Sequence, residues 1–260
     1  MARLVAENIS KVYGSGEDAV QALEDVALTV EDGEFVSIVG PSGCGKTTFL
    51  RILDGLVEPT TGQIRIGDRV VEGSGQDRGM VFQSFNLFPW RSVRENVEFG
   101  LECRGDGAEE RREIAMDYID LVGLSGFQDS YPSELSGGMQ QRVGLARALA
   151  IDPEILLMDE PFGALDAQTR ELMQTELLKI WSQNQKTAIF VTHDIDEAIY
   201  LSDRIVVFTD RPGRPDRIEE VPFDRPRYGR DIRGEPEFAE LHDVIWDSLM
   251  LDSKQGELTT

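Results

Sequence analysis

The sequence predicts an α/β fold whose core is a parallel β-sheet. A mainly apolar strand, a glycine cluster and an amphipathic helix follow one another over residues 35–57. From residue 154 onward, apolar strands alternate with helices, which is typical of a parallel sheet covered by helices. A mostly helical block over residues 92–151 separates these parts and indicates a helical insertion.

The elements before residue 60 are predicted from their apolar patterns. Apolar side chains alternate over residues 27–30, whereas 35–39 is a mainly apolar run that indicates a strand buried on both faces. The helix expected over 47–57 has apolar residues at helical spacing, and Pro59 and Gly62 stop it.

Later elements follow the same logic. They are a helical face through Ile114, Tyr118 and Leu121, a helix over 140–150, a strand over 155–158, a helix over 167–181, a strand over 187–191, and a terminal amphipathic helix through Phe238, Leu241, Ile245 and Leu249. The sequence therefore predicts a parallel-sheet core and a helix near its end that packs back.

The composition argues against a disordered chain and against a nucleic-acid-binding protein. Hydrophobic residues make up 40% of the 260 residues and charged residues 28%, which is typical of a folded protein. The net charge is −22, and five of the 26 basic residues are lysines. Because nucleic-acid backbones are bound by clustered basic side chains, we expect no nucleic-acid partner.

The sequence also bears on location. Its apolar runs, such as residues 205–208, fall far short of the about 20 residues that a transmembrane helix needs. Arg3 and Glu7 lie in a strand-like alternation, so we predict no signal peptide and a cytoplasmic chain. Cys44 and Cys103 lack metal-ligand spacing and are expected to be free thiols.

A glycine-rich segment carries the first chemical signal. Between a strand and a helix, the pattern G-x4-G-K-[ST] of a phosphate-binding P-loop is fitted by Gly40, Pro41, Ser42, Gly43, Cys44, Gly45, Lys46 and Thr47. Glycines let backbone N–H groups turn toward phosphate oxygens at a helix N-terminus. Lys46 is expected to reach the β and γ phosphates, and Thr47 to place its hydroxyl on Mg²⁺. A glycine-rich turn with a solvated lysine is the weaker interpretation.

Two carboxylates end a second apolar strand, residues 155–158. Asp159 and Glu160 should emerge at the carboxyl edge of a parallel sheet, where ligands bind in such folds. We expect Asp159 to hold the Mg²⁺ shell and Glu160 to orient and polarise the attacking water, as phosphoryl transfer requires.

A third segment resembles the signature sequence of the ABC (ATP-binding cassette) ATPases: Leu135-Ser136-Gly137-Gly138-Met139-Gln140-Gln141-Arg142. It lies between the P-loop and the two carboxylates, the order that this family uses, and the resemblance covers residues 1 to about 210. It implies a P-loop NTPase (RecA-like) core, an antiparallel β subdomain, a helical insertion, and hydrolysis of ATP with Mg²⁺.

The resemblance also implies pairing. In this family each ATP lies between the P-loop of one subunit and the signature of another, so we expect a second nucleotide-binding subunit, in a homodimer or within a complex. The implied nucleotide contacts are Tyr13, Gly40, Pro41, Ser42, Gly43, Cys44, Gly45, Lys46, Thr47, Thr48, Ser136, Gly137, Gly138, Gln140 and Asp166.

Single residues resemble further family positions. Gln83 follows a strand and resembles the Q-loop glutamine that contacts Mg²⁺ or the attacking water. His193 resembles the switch histidine that touches the γ phosphate, and Tyr13 the aromatic ring that stacks on adenine. Asp166 belongs to a segment, 163–166, that resembles the D-loop. In the simpler interpretation Asp166 caps a helix, and the residue can fill both roles. The implied catalytic set is therefore Lys46, Gln83, Glu160 and His193, and the metal set is Thr47, Gln83 and Asp159.

Large apolar side chains follow the Q-loop closely, namely Phe85, Phe88, Pro89 and Trp90. By resemblance this region receives a short cytoplasmic helix of a membrane permease. Equally, these rings could build the core of the helical insertion.

Several segments together resemble the ABC importer branch for nitrate, sulfonates and taurine. The segments are 87–90, 135–142 with Met139, 161–166, 211–214 and the terminal helix from Pro236. Pro215 departs from this branch, in which isoleucine often follows Pro-Gly-Arg. The branch implies an ATPase at the cytoplasmic face of the membrane, bound to permease subunits and served indirectly by an extracytoplasmic solute-binding protein. The solute itself stays open.

Two alternatives stay open. The closer one is the ATPase of another importer or of an exporter, and the other, from a different class, is a soluble ABC protein acting on DNA or ribosomes. The acidic composition disfavours a phosphate-backbone partner. Four segments are predicted: 1–84 with the β subdomain and P-loop, 85–152 as the helical subdomain, 153–210 as the rest of the core, and 211–260 as a short extension.

Overall fold

The computed structural model describes residues 3–163 and 165–257, without the side chains of Glu17, Asn184 and 251–257. The chain divides into two compact units. The first is formed by the chain up to Gly75 and from Gln185 onward, and the second by Gln76–Asn184. The four predicted segments stay a prediction.

The strands, numbered along the chain, are β1 (Leu4–Tyr13), β2 (Val20–Val30), β3 (Phe35–Val39), β4 (Thr61–Ile66), β5 (Arg69–Val70), β6 (Arg78–Val81), β7 (Ile155–Asp159), β8 (Thr187–Val191), β9 (Arg204–Phe208) and β10 (Pro215–Glu220). The helices are α1 (Lys46–Leu53), α2 (Val93–Arg104), α3 (Ala108–Leu121), α4 (Gly137–Ala150), α5 (Ala167–Asn184), α6 (Ile195–Leu201) and α7 (Pro236–Glu257).

The first unit contains two kinds of sheet. β3 lies between β8 and β9 and runs parallel to both, and β10 joins β9 in the antiparallel sense. Every residue of β3 and β8 is buried, so the strand predicted to be covered on both faces is confirmed. The other sheet is antiparallel, with the order β2-β1-β4-β5.

The second unit contains the helical block. β6 and β7 pair in parallel, with Val81 opposite Met158. The predicted helical insertion holds α2, α3 and α4, which pack on one another. A Ser92–Glu95 capping box starts α2: the Ser92 hydroxyl accepts from the Glu95 N–H, and Glu95 accepts from the Ser92 N–H.

Helix α1 is shorter than the sequence predicts. We expected it to reach Val57, but it ends at Leu53. Gly55 takes a left-handed φ of +79°, and the N–H groups of Leu56 and Val57 both bond to the Arg51 carbonyl. A Cβ on Gly55 would lie 2.3 Å from the Gly73 backbone, so a close chain approach ends this helix.

The C-terminal extension is fastened to α6. Arg227 is 2% exposed, and its guanidinium donates to carbonyl oxygens of Phe223, Ile199, Tyr200 and Ser202. Burial, with Arg225 nearby, lowers the pKa of Arg227 to about 10, so it stays charged at neutral pH. The predicted amphipathic helix is confirmed as α7, whose apolar face is buried at Phe238, Leu241 and Ile245.

Two expectations about the chain can be compared with the structure. Within the described residues, none of the helices combines the length and the apolar character that crossing a bilayer demands. Cys44 and Cys103 are free cysteines, as predicted, with Cys44 buried and Cys103 exposed.

Candidate functional site

In the first unit the glycine-rich loop joins β3 to α1. Gly45 is the N-cap of α1 and has a φ of +109°, a left-handed conformation that favours glycine. Because the first N–H groups of a helix have no partner within it, they face the loop and suit an anion. Ser42 and Gly43 are exposed at the rim, whereas Thr47 and Thr48 are half-buried in the first turn.

Lys46 is held inside this loop. Its side chain is 5% exposed, and Nζ donates to the carbonyl oxygens of Gly40 at 2.7 Å and Pro41 at 2.9 Å. An ammonium group has three donors and no acceptor. The loop thus fixes a positive charge beside the α1 N-terminus, which is the arrangement that binds phosphate.

Cys44 packs beneath the loop. It is fully buried, and its Sγ lies 3.9 Å from Lys46 Nζ. Burial raises the pKa of its thiol, against the attraction of Lys46, so the group is neutral at physiological pH. A Cβ on Gly40 would lie 3.0 Å from Sγ and 3.1 Å from Phe208, a close approach that favours glycine.

Gly213 supports the loop from behind, a role that sequence reasoning missed. Its N–H donates to the Ala22 carbonyl at 3.0 Å, and its carbonyl accepts from the Glu24 N–H at 3.1 Å. A Cβ on Gly213 would lie 2.0 Å from the Cys44 carbonyl oxygen. Across the loop, a Cβ on Gly45 would lie 2.6 Å from the Ala22 carbonyl oxygen. From the sequence alone, the Pro-Gly-Arg segment that contains Gly213 indicates only a likeness to the importer branch.

His193 follows β8 at the same sheet edge as the loop. β8 pairs in parallel with β3, with Val191 opposite Ile38, so both strands deliver their next residues to one edge. His193 is exposed, while Thr192 before it is buried. The predicted switch histidine and the P-loop are thereby brought to one side of the first unit.

Tyr13 ends β1 and is 41% exposed, with Lys11 Nζ 5.1 Å from its ring centroid. It pairs with Val20 of β2, two residues before Ala22 at the P-loop. Successive strand residues rise by about 3.4 Å, so an exposed ring lies roughly 7 Å along the strand from that contact. Its position is compatible with stacking on a base.

The second unit brings Gln83 and Glu160 together. They follow the neighbouring parallel strands β6 and β7, and Gln83 Nε2 donates to Glu160 Oε2 at 3.3 Å. Asp159, at the end of β7, is 4% exposed, whereas Glu160 is half-buried and Gln83 exposed. The predicted amide and the predicted base therefore lie within hydrogen-bonding distance.

Glu160 has an unusual backbone. Its φ is +42°, a left-handed value that non-glycine residues seldom take, and its carbonyl accepts the Gly163 N–H at 3.1 Å. Such outliers cost about 1–3 kcal/mol and cluster at functional sites. Asp159 is the last residue of β7, and Glu160 lies in the turn that follows it.

The signature segment lies at a helix N-terminus, that of α4. Ser136 caps α4 by accepting the Met139 N–H at 3.3 Å, and both Ser136 and Gly137 are exposed. Gln140 Nε2 donates to the carbonyls of Pro132 and Leu135, at 3.0 and 3.3 Å, so its amide holds the preceding turn. Its proposed contact with a nucleotide stays a prediction.

Asp166 fulfils the simpler of its two readings. Its carboxylate accepts from the Thr169 N–H at 3.1 Å and from the Thr169 hydroxyl at 2.7 Å, and these bonds lower its pKa. It thus caps the start of α5. The interface role of the D-loop stays a prediction, and Ala164 of that segment lies outside the described residues.

An apolar groove of about 420 Å³ opens beside the Q-loop. This aromatic groove is lined by Met80, Phe82, Phe88, Phe99, Gly100 and Arg147, among others. Phe88 packs on Phe99 with ring centroids 4.6 Å apart and on Trp90 at 5.6 Å, and Trp90 is 71% exposed. The rings therefore form a wall and leave a large indole at the surface.

Comparison with known proteins agrees with this geometry. A family model described as ABC transporter matches residues 23–163. An ABC transporter ATP-binding protein of Methanocaldococcus jannaschii, named as uncharacterized, is 56% identical over 247 residues, which is 95% of this chain and 91% of that protein. A nitrate import ATP-binding protein of Synechocystis is 45% identical, covering 97% of this chain and 96% of its own length.

Further similarity comes from a second importer and a solved structure. A taurine import ATP-binding protein of Burkholderia pseudomallei is 45% identical, over 98% of this chain and 100% of that protein. A dimeric ATP-binding cassette in a post-hydrolysis state, bound to ADP and Pi, superimposes with a TM-score of 0.75 and 38% identity. The superposition covers 85% of this chain and 100% of the solved chain.

Gly213→Ala tests the support of the P-loop. The new Cβ would collide with the Cys44 carbonyl, so we expect the loop to shift and the Kd for ATP to rise about tenfold, or ~1.4 kcal/mol. Titration calorimetry with ATP measures the effect. Gly107→Ala, where a Cβ meets nothing within 4 Å, is the matched control and should bind as wild type. A folded Gly213→Ala protein with unchanged ATP affinity would contradict this role.

Proposed function

Because the chain belongs to the ABC transporter family, we propose that it is the ATP-hydrolysing subunit of an importer that moves a small solute through separate permease subunits. The observation that carries the proposal is the full-length match to import ATP-binding proteins combined with a P-loop whose lysine is held in place. The held lysine alone would fit other P-loop proteins, whereas the match points to the ATPases of importers.

In this proposal the first unit holds the triphosphate. Backbone N–H groups of residues 42–48 cradle the phosphates at the α1 N-terminus, and Lys46 compensates charge on the β and γ groups. Tyr13 stacks on adenine from the antiparallel sheet. His193 contacts the γ phosphate from the edge that β3 and β8 share.

The second unit supplies the residues that act on water. Glu160 accepts a proton from the attacking water, and the hydrogen bond from Gln83 orients the carboxylate for that task. Mg²⁺ prefers hard oxygen donors, and the amide oxygen of Gln83 and the carboxylate of Asp159 are of this kind. The first unit offers another such donor, the hydroxyl of Thr47. When bound, Mg²⁺ neutralises charge on the β and γ phosphates.

Pairing of two subunits follows from the exposed α4 N-terminus. Ser136 and Gly137 present N–H groups and a hydroxyl to solvent, as an anion-binding helix end does. We propose that this end closes on the γ phosphate of ATP held by a second copy. The dimeric cassette that this chain resembles supports such an arrangement.

The aromatic groove is proposed to receive a short helix of the permease. It is apolar, and its lining residues Phe82 and Asn86 lie on either side of Gln83 in the chain. Trp90, which packs on the lining residue Phe88, is exposed. Binding there would connect the permease to the residue that orients Glu160, which couples hydrolysis to transport. We therefore propose that the protein works at the cytoplasmic face of a membrane.

A small anion or zwitterion is the solute class that the relatives support. Two of the relatives are named as import proteins for nitrate and taurine. Selection of the solute is assigned to the permease and an external binding protein, since the ATP-binding subunit contacts only the nucleotide and the permease.

Glu160→Gln tests the chemical step. Glutamine keeps the shape of the side chain but cannot take a proton, so we expect ATP binding within about threefold of wild type and turnover reduced about 10²- to 10⁴-fold. Phosphate release under saturating Mg-ATP measures this. Glu154→Gln, an exposed acid before β7, serves as control and should hydrolyse normally. Normal hydrolysis by Glu160→Gln would remove Glu160 from the role of base.

Trp90→Ser tests the aromatic groove. The indole lies at the surface, so we expect unchanged ATP hydrolysis by the isolated chain but loss of transport-coupled hydrolysis in the complex reconstituted with its permease. Leu172→Ser, a 50% exposed position on α5, is the matched control. Transport and coupling that persist in Trp90→Ser would leave the rings as core of the helical subdomain.

A further inference from the structure

We infer that Thr192 and Glu197 are positioning residues for His193. They hold the backbone on both sides of the histidine while its ring stays exposed at the sheet edge. This inference rests on the proposed contact of His193 with the γ phosphate and adds two residues through which that contact is set.

The first restraint ties the histidine segment to the strand that leads into the P-loop. The Thr192 N–H donates to the Ile38 carbonyl at 3.2 Å, which continues the parallel pairing of β8 with β3 by one residue. Two residues after Ile38 the loop begins at Gly40. The backbone position of His193 is thereby fixed relative to the strand that leads into the P-loop.

The second restraint is a closed set of hydrogen bonds around His193. The Thr192 hydroxyl donates to Glu197 Oε2 at 2.7 Å and accepts the Asp194 N–H at 3.0 Å. The Asp194 carboxylate in turn accepts the Glu197 N–H at 3.1 Å. Both neighbours of His193 are therefore hydrogen-bonded to Glu197: Thr192 to its carboxylate and Asp194 to its backbone N–H.

Burial makes this set stiff. Thr192 is 2% exposed and Glu197 5% exposed, whereas His193 between the two bonded neighbours is exposed. A hydrogen bond between buried groups is strengthened by the low local dielectric. The backbone under the imidazole is thus anchored from the interior.

Helix capping alone does not account for the arrangement. Asp194 already caps α6 by accepting the Glu197 N–H, and that task needs neither the Thr192 hydroxyl nor the Glu197 carboxylate. Burying a carboxylate is costly unless it is well bonded. What the two side chains add is the bond from residue 192 to residue 197, which spans the histidine.

Thr192→Val against Thr192→Ser is the direct test. Valine keeps the shape but loses the hydroxyl, whereas serine keeps it. We expect Thr192→Val to lower kcat of ATP hydrolysis about 10- to 100-fold, as a misplacement of about 1 Å can, with KM for ATP within about twofold. Thr192→Ser should recover at least half of wild-type kcat. Equal kcat in the valine and serine variants would overturn the inference.

Glu197 provides the same test from the other end. Glu197→Gln keeps an acceptor oxygen for the Thr192 hydroxyl and should keep kcat within a few-fold of wild type, whereas Glu197→Leu should lose as much as Thr192→Val. Thermal unfolding and circular dichroism establish that each variant is folded. If the valine variant does not fold, the Glu197 pair decides, and equal kcat in that pair would overturn the inference.

A double-mutant cycle with His193→Ala separates this inference from the proposed function. If Thr192 acts through His193, Thr192→Val has no further effect on kcat once the imidazole is gone. The same fold-loss in both backgrounds would overturn the positioning role and leave the proposed function intact. Wild-type kcat in His193→Ala alone would instead remove the histidine from the proposed mechanism and the positioning role with it.

Discussion

The close approach of three chain segments around the 40–45 loop is the constraint on which the rest of the structure depends. β3 delivers the loop from a fully buried position, β2 lies against Gly45, and the turn before β10 lies against Cys44. Because these three segments are closely packed, a small displacement of one of them is transmitted to the others. Glycine at 45 and at 213 is therefore a steric requirement, and the positions of Lys46 and the α1 N-terminus follow from it.

Each compact unit carries its own part of the chemistry. The first presents the P-loop and His193 on neighbouring parallel strands, and the second presents Gln83 and Glu160 on another parallel pair. In both, adjacent strands bring residues that are distant in sequence to one edge. This is the general reason why ligands of such sheets bind at the carboxyl ends of the strands.

Much of this could be predicted, because the signals are local. Strand, glycine loop and helix are contiguous, so Lys46 and its surroundings followed from a pattern. The end of α1 could not be predicted, since it depends on the approach of Gly73, which follows two further strands, β4 and β5. The same holds for Gly213, whose neighbour lies about 170 residues away, and for the bond between Thr192 and Glu197, which requires knowing that both are buried.

The central claim is that ATP joins two copies of this chain through the exposed α4 N-terminus. Sedimentation of Glu160→Gln with and without ATP, beside Glu160→Gln combined with Ser136→Arg, tests it most directly. The account predicts that ATP converts the first protein from monomer to dimer, while the second binds ATP and stays monomeric. Dimerisation of both proteins, or of neither, with ATP bound in each, would contradict the claim.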